Sequence, residues 1–385
     1  MNPEPFRIDV PQAEIEDLHR RLAHTRLPDD HDNDDWRYGV PRDWLEPLLE
    51  HWRTRFDFRA EEARINAFPQ YRVTIDDVPV HFLWVRGKGP YPKPLVLTHG
   101  WPWTFWDWQA LIGPLSDPGA HGGDPADSFD VIVPSLPGFG FSTPVRQRGI
   151  NVRAIGRLWR RLMCEVLSYG RFFAAGGDWG SMVTAELGHA HADVVTGVHL
   201  TLPLLPGLDL RSLTADRFGA DEQWMLARNA AARPITDVHV AVQRRDPQTI
   251  GYALEDSPAG LAAWLWERRR NWGDPRSSTL TDPDRLCSLA SLFWYGRTIT
   301  SSMRLYAEHH DAPWRPVPGH NGKLIPVPTS FAVAPHELVL LPRSLAEQET
   351  DLRRWTVFKA GGHFLPVEQP DELVAEYRYF ARALR

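Results

Sequence analysis

The sequence predicts an α/β protein: a mostly parallel, doubly wound sheet, with one helical segment before it and another inserted between two of its strands. Three observations carry this. Short apolar runs alternate with helix-period segments from residue 95 to 200. The alternation then stops for a long aromatic stretch and resumes near residue 325. One run, Phe172 to Ala175, ends in Gly176-Gly177-Asp178-Trp179-Gly180-Ser181, a small-x-Asp-x-small turn that leads into a helix.

Residues 1–70 read as a helical preamble. Pro11 opens a segment with Ile15, Leu18 and Leu22 on one face, and Pro41 opens another with Trp44, Leu48, Leu49 and Trp52. Between them, Asp29 to Asp35 is an acidic loop with no defensible metal-ligand spacing. At Tyr71 the period changes to two. Arg72 to Ile75 and Val80 to Val85 flank Asp76-Asp77 and predict a β-hairpin.

The core then runs from 71 to 200. Leu95 to Thr98 is a short buried strand ending at His99-Gly100-Trp101-Pro102, and a helix follows over Trp106 to Leu115. The next strand, Phe129 to Val133, ends in a Pro- and Gly-rich loop. A helix covers 151–168, then come the Asp178 turn and a further strand, Val194 to Leu200. Residues 201–315 are helical and aromatic, an insertion over the carboxyl ends of the strands, where ligands bind in such sheets. Residues 316–385 resume the core, with strands at Ile325 to Val333 and Trp355 to Phe358 and a final amphipathic helix from 370.

The totals exclude several classes. A net charge of −6 gives no broad basic footprint for nucleic acid. Two cysteines, Cys164 and Cys287, build no disulfide framework, which points to a reducing, cytoplasmic setting. No apolar stretch predicts a signal peptide or a membrane span. The 17 tryptophans can build wide apolar pockets, although most belong in the core.

The chemistry lies at the carboxyl ends of the strands. An Asp at the tip of a strained strand-to-helix turn is a carboxylate nucleophile. Carboxylates displace at sp3 carbon and leave an ester, so the pattern points to epoxide or alkyl halide opening. A Gly-rich turn with a capping Asp would explain Asp178 equally well, and the rest of the chain decides between the two. Glu337 follows the penultimate strand and His363 the last, each just past an apolar run. Nucleophile, acid, histidine is the α/β-hydrolase order. Glu347, Asp351 and Asp209 also lie near strand ends, and Glu337 is favoured because Pro335-His336-Glu337 follows its strand directly. The Trp101 and Trp179 N–H groups can aim at a developing oxyanion.

These motifs, with Pro335-His336-Glu337-Leu338, Gly361-Gly362-His363-Phe364, Phe6 to Pro11 and Arg26-Leu27-Pro28, resemble those of the microsomal-type epoxide hydrolases over nearly the whole chain. The resemblance implies an α/β-hydrolase fold with an N-terminal meander and a helical lid. It also implies epoxide opening without metal or organic cofactor. The chain is more similar to soluble bacterial members, some of them in natural-product pathways. Two lid tyrosines act as acids in that family. Thr300 to Tyr306 resembles the segment bearing one, which gives Tyr306 that role. In register, the other position holds His239, a departure; a shifted register would instead bring Trp224 or Tyr252 inward.

The expected partner is a small, bulky, hydrophobic or aromatic epoxide. The sequence allows a homodimer without requiring one. Two rivals stand beside this reading. A haloalkane dehalogenase shares the Asp and the Trp after it, but needs neither Tyr306 nor residues 1–70. A non-catalytic binding protein on the same scaffold would use the aromatic lid as a cradle.

Overall fold

In the computed structural model, which describes residues 2–205, 207–209, 212–316 and 322–384, the described strands form one nine-stranded sheet. They are β1 (Glu4–Phe6), β2 (Gln70–Ile75), β3 (Val78–Val85), β4 (Lys93–Thr98), β5 (Phe129–Pro134), β6 (Phe172–Gly176), β7 (Val195–Leu200), β8 (Ile325–Val333) and β9 (Thr350–Val357). Their order is β1-β2-β3-β5-β4-β6-β7-β8-β9. The β1–β2, β2–β3 and β3–β5 pairs are antiparallel, and the rest of the sheet is parallel. β5 and β6 are buried along their whole length, as continuous apolar runs in a parallel sheet require. Phe172 and Phe173 there are at most 2% exposed, and each such side chain contributes roughly 1.5–3 kcal/mol by leaving water.

The β2–β3 hairpin turns at Asp76 and Asp77, whose φ angles of 50° and 60° match the right-handed twist of the flanking strands. Helices α1 (Gln12–Ala23), α2 (Arg42–Thr54) and α3 (Phe58–Asn66) precede the sheet. α1 buries Ile15, Leu18 and Leu22, and α2 buries Leu45, Leu49 and Trp52. The preamble is not purely helical: β1 adds a strand to the sheet edge, pairing Glu4 with Arg72 and Phe6 with Gln70. Three residues are too few to show a period of two.

Helices α4 (Gln109–Ser116), α5 (Val152–Arg161) and α6 (Trp179–Ala190) connect the core strands. The helix expected over 151–168 is α5 followed by a π turn at Leu162–Val166. Between β7 and β8 lie α7 (Gln223–Arg245), α8 (Pro247–Asp256), α9 (Pro258–Trp272), α10 (Pro283–Gly296) and α11 (Ile299–Asp311). Helices α12 (Arg343–Glu349), α13 (Leu365–Glu368) and α14 (Pro370–Arg382) complete the chain.

The preamble packs against these inserted helices. Trp52 is 5.8 Å from Trp266 of α9 and donates its indole N–H to Ser291 of α10 at 2.9 Å. Arg21 of α1 pairs with Asp256 of α8 at 2.9 Å. No described helix is long and apolar enough to cross a membrane.

Candidate active site

β6 stops at Gly176 and α6 starts at Trp179, so Gly177 and Asp178 make the whole turn. Asp178 sits at φ 53° and ψ −126°. A non-glycine residue pays of order 1–3 kcal/mol for such backbone, and it is held there by its surroundings. The fit depends on missing side chains. A Cβ on Gly180 would overlap the Thr98 carbonyl, and a Cβ on Gly100 would overlap the Asp178 carboxylate itself.

The loop after β4 supplies the first partner. The Trp101 N–H donates to Asp178 Oδ1 at 2.7 Å. His99 steadies that loop. Its Nδ1–H donates to the Gly100 carbonyl at 2.9 Å, and its Nε2 accepts the Leu136 N–H at 3.0 Å. One ring thereby ties the loops after β4 and β5. Burial lowers the His99 pKa to about 4, so the ring stays neutral, as accepting at Nε2 demands.

The loops after β8 and β9 supply the other partners. His363 donates from Nδ1 to Glu337 Oε1 at 2.7 Å, and its Nε2 stands 3.4 Å from Asp178 Oδ2. Both His363 and Glu337 are fully buried. Trp103 and Trp272 meet the imidazole edge-on, with ring centroids 5.6 and 5.3 Å away. Burial opposes the imidazolium, but Glu337 and Asp178 outweigh it and raise the His363 pKa to about 9. Glu337 Oε1 also accepts its neighbour Leu338's N–H at 2.6 Å. Two of the alternative acids are engaged elsewhere: Glu347 pairs with Arg343 and Asp351 with Arg353.

The inserted helices bring aromatic groups over Asp178. Tyr306 of α11 meets Trp179 edge-on at 4.7 Å and Trp101 at 6.0 Å. Burial pushes its phenol well above the ordinary value, and the Asp178 carboxylate adds to the rise. His239 of α7 lies in the same cluster. It stacks on Trp101 at 5.4 Å and 8°, touches Trp272 at 4.6 Å and faces Tyr306 edge-on at 5.5 Å. Burial lowers its pKa to about 3, helped by Arg268, so the ring is neutral. Its Nδ1 is buried without a well-aligned hydrogen-bond partner, the Thr236 carbonyl being the nearby acceptor.

A sequence model of the epoxide hydrolase N terminus matches residues 3–108, and one of the alpha/beta hydrolase fold matches residues 93–237. A Stigmatella aurantiaca protein provisionally named an epoxide hydrolase is 40% identical, over 99% of this chain and 85% of its own. The chain belongs to the epoxide hydrolase family. Epoxide hydrolase 1 of Sus scrofa is 30% identical, over 98% of this chain and 88% of its own. The solved structure of Aspergillus niger epoxide hydrolase superposes with a TM-score of 0.88 at 26% identity, over 100% of this chain and 97% of that one.

As an epoxide hydrolase on an α/β-hydrolase scaffold, the chain brings Asp178, Glu337, His363, Trp101, Trp179, Tyr306 and His239 to one place. The alternative register fails for Tyr252, which is 72% exposed on α8. Trp179 reaches the cluster through its indole ring. Its N–H heads α6, among the amides without an intrahelical acceptor.

Sequence reasoning missed the groups that hold these side chains. His99 stands inside a motif read for the Trp101 N–H alone. Arg228 of α7 donates to the Glu337 carbonyl at 2.9 Å and the His336 carbonyl at 2.7 Å. Asn229 both accepts from and donates to the Leu340 backbone at 2.7 Å. No sequence signal links an Arg-Asn pair to a loop more than 100 residues away. Among the described residues no cluster of three or more His, Cys, Asp or Glu side chains is arranged to hold a metal.

Proposed function

We propose that this chain converts a hydrophobic, preferably aromatic, epoxide to a vicinal diol through a covalent ester on Asp178. The carrying observation is that the two Asp178 oxygens face different partners. Oδ1 accepts the Trp101 N–H at 2.7 Å, while Oδ2 faces His363 Nε2 at 3.4 Å. A carboxylate held by one oxygen presents the other for attack.

In the first half-reaction, Oδ2 attacks one epoxide carbon and the carbon–oxygen bond on its far side breaks. The departing alkoxide is more basic than a phenolate and takes the Tyr306 proton. The raised phenol pKa keeps that proton in place until charge develops. His239, neutral and stacked on Trp101, offers its one ring N–H as the second hydrogen-bond donor to the departing oxygen. The Trp101, Trp272 and Tyr306 rings, packed around His239, favour an apolar guest and exclude bulk water.

Alkylation removes the Asp178 charge. One of the two anions that raise the His363 pKa is then gone, so the imidazole gives up its extra proton and becomes a base for water. Hydroxide attacks the ester carbon. The tetrahedral oxyanion is Oδ1, already on the Trp101 N–H, with the Trp179 N–H as the second donor. Collapse expels the diol oxygen, which takes the proton from His363, held by Glu337; the proton that His363 shed before hydrolysis and the one left on the new Asp178 carboxyl group then restore the Tyr306 phenol and the His363 imidazolium. Epoxide plus water gives diol, and Asp178 returns as carboxylate.

The test is mass spectrometry of the His363→Gln protein after exposure to styrene oxide. A stable adduct on the Asp178 peptide is expected; turnover with no adduct would count against the scheme.

A further inference from the structure

The loop that carries His363 is held from the inserted helices. The carbonyl of Trp272, the last residue of α9, accepts the His363 N–H at 3.0 Å. Two residues on, Asp274 Oδ2 accepts the Gly361 N–H at 3.0 Å. The Asp274 N–H donates to Glu368 Oε2 at 2.7 Å, and Glu368 Oε1 accepts the Phe364 N–H at 3.0 Å. Three backbone N–H groups between Gly361 and Phe364 therefore end on the last residue of α9, on Asp274 just after it, or on a carboxylate bound to Asp274.

The acid loop joins the same point. The His336 N–H donates to the Gly361 carbonyl at 3.1 Å. The His336 ring lies 3.6 Å from Asp274 Oδ1, too long for a hydrogen bond but close enough to complete the packing. On its other side Asp274 takes Arg276 Nη2 at 2.6 Å and Nε at 2.9 Å. Asp274 and Glu368 are 4% and 9% exposed. Burying two carboxylates is costly unless donors satisfy them; Asp274 has backbone N–H groups and Arg276, while Glu368 has backbone N–H groups alone and burial raises its pKa. Among the described residues, no hydrogen bond or ion pair joins either of them to Asp178.

We infer that Asp274, with Glu368, is a positioning residue that sets the His363 imidazole for the second half-reaction. The inference rests on the ester mechanism proposed above. Ester formation needs Asp178, Trp101 and Tyr306; Asp178 is anchored at Oδ1 by the Trp101 N–H and meets the His363 loop at the 3.4 Å approach of Oδ2 to Nε2, a contact that asks less of the imidazole's aim than water activation does. Ester hydrolysis needs Nε2 within reach of one water, and a misplacement of about 1 Å costs on the order of 100-fold. Losing the Asp274 acceptor therefore slows hydrolysis and leaves alkylation alone.

The experiment mixes enzyme rapidly with styrene oxide and follows the Asp178 peptide by mass spectrometry, beside His363→Gln as reference. Asp274→Ala should accumulate adduct, with hydrolysis slowed about tenfold or more and the alkylation rate near that of the wild type. Asp274→Asn keeps a carbonyl oxygen for the Gly361 N–H but turns an NH2 toward the Arg276 N–H, so it should recover part of the loss. Glu368→Gln turns an NH2 toward one of its two backbone donors and should also accumulate adduct; it decides the matter if Asp274→Ala does not fold. Wild-type ester clearance in the variants, or equal slowing of both half-reactions, overturns the inference. Failure of His363→Gln itself to trap the ester would instead overturn the mechanism, so the two failures are distinct.

Discussion

Nε2 of His363 stands 3.4 Å from Oδ2 of Asp178, with Glu337 on the ring's other nitrogen at 2.7 Å. The imidazole thus sits between two carboxylates in the resting protein, which favours its protonated form, although its later task is that of a base. Charge removal on Asp178 resolves the conflict, and it can be measured directly.

Asp178→Asn mimics the uncharged ester. The His363 pKa, raised to about 9 in the resting protein, should fall in this variant, as read by nitrogen-15 NMR of the imidazole. Stability follows from the same linkage. A histidine raised from 6.5 to about 9 contributes stability that is fully present below pH 6.5 and is lost as pH climbs through 9. Asp178→Asn should shrink that loss in urea unfolding across the pH range. Identical His363 titration in the two proteins would refute the coupling.

Tyr306→Phe removes the phenol proton and keeps the ring that packs on Trp179. Alkylation should slow on the order of 100-fold or more, with little ester at steady state because hydrolysis is untouched. Quenching of tryptophan fluorescence during a single turnover reports the first step. An unchanged rate would remove Tyr306 from the mechanism.

His239→Phe keeps the stack on Trp101 and removes the donor. Losing one hydrogen bond to a developing alkoxide should cost on the order of tenfold in alkylation, and His239→Tyr should restore it. Because the His239 pKa is about 3, the effect should be the same at pH 6 and pH 8. A dependence centred near pH 6.5 would mean that the ring titrates, contrary to its burial.

Gly100→Ala puts a methyl group where the Asp178 carboxylate lies. The carboxylate must then leave the Trp101 N–H, and kcat should fall on the order of 100-fold, the cost of losing one oxyanion donor. Comparable kcat, with the fold verified by circular dichroism, would show that Oδ1 needs no such anchor.

Legibility in the sequence divides along a physical line. Asp178 and Glu337 were legible because each follows a buried apolar strand, and His363 because Gly361-Gly362 marks the stop after the half-exposed edge strand β9. The parallel core was legible for the same reason. β1 was not, because its three residues carry no pattern and pair only through β2. His239 was located only by resemblance: nothing in α7 alone shows which face meets Trp101. Arg228, Asn229 and Asp274 left no trace in sequence, since their partners are backbone atoms of distant loops, and backbone atoms have no sequence signature.

The N-terminal helices give the inserted ones a strap. Trp52 grips α9 and α10, and Arg21 grips α8, all from outside. Swinging the cap open as one piece would break the Trp52 and Arg21 ties together with the Trp272 and Asp274 anchorage beneath. Turning the rings of Trp101, His239 and Tyr306 breaks none of them. A rigid-body opening of the inserted helices therefore carries the cost of all of these contacts at once.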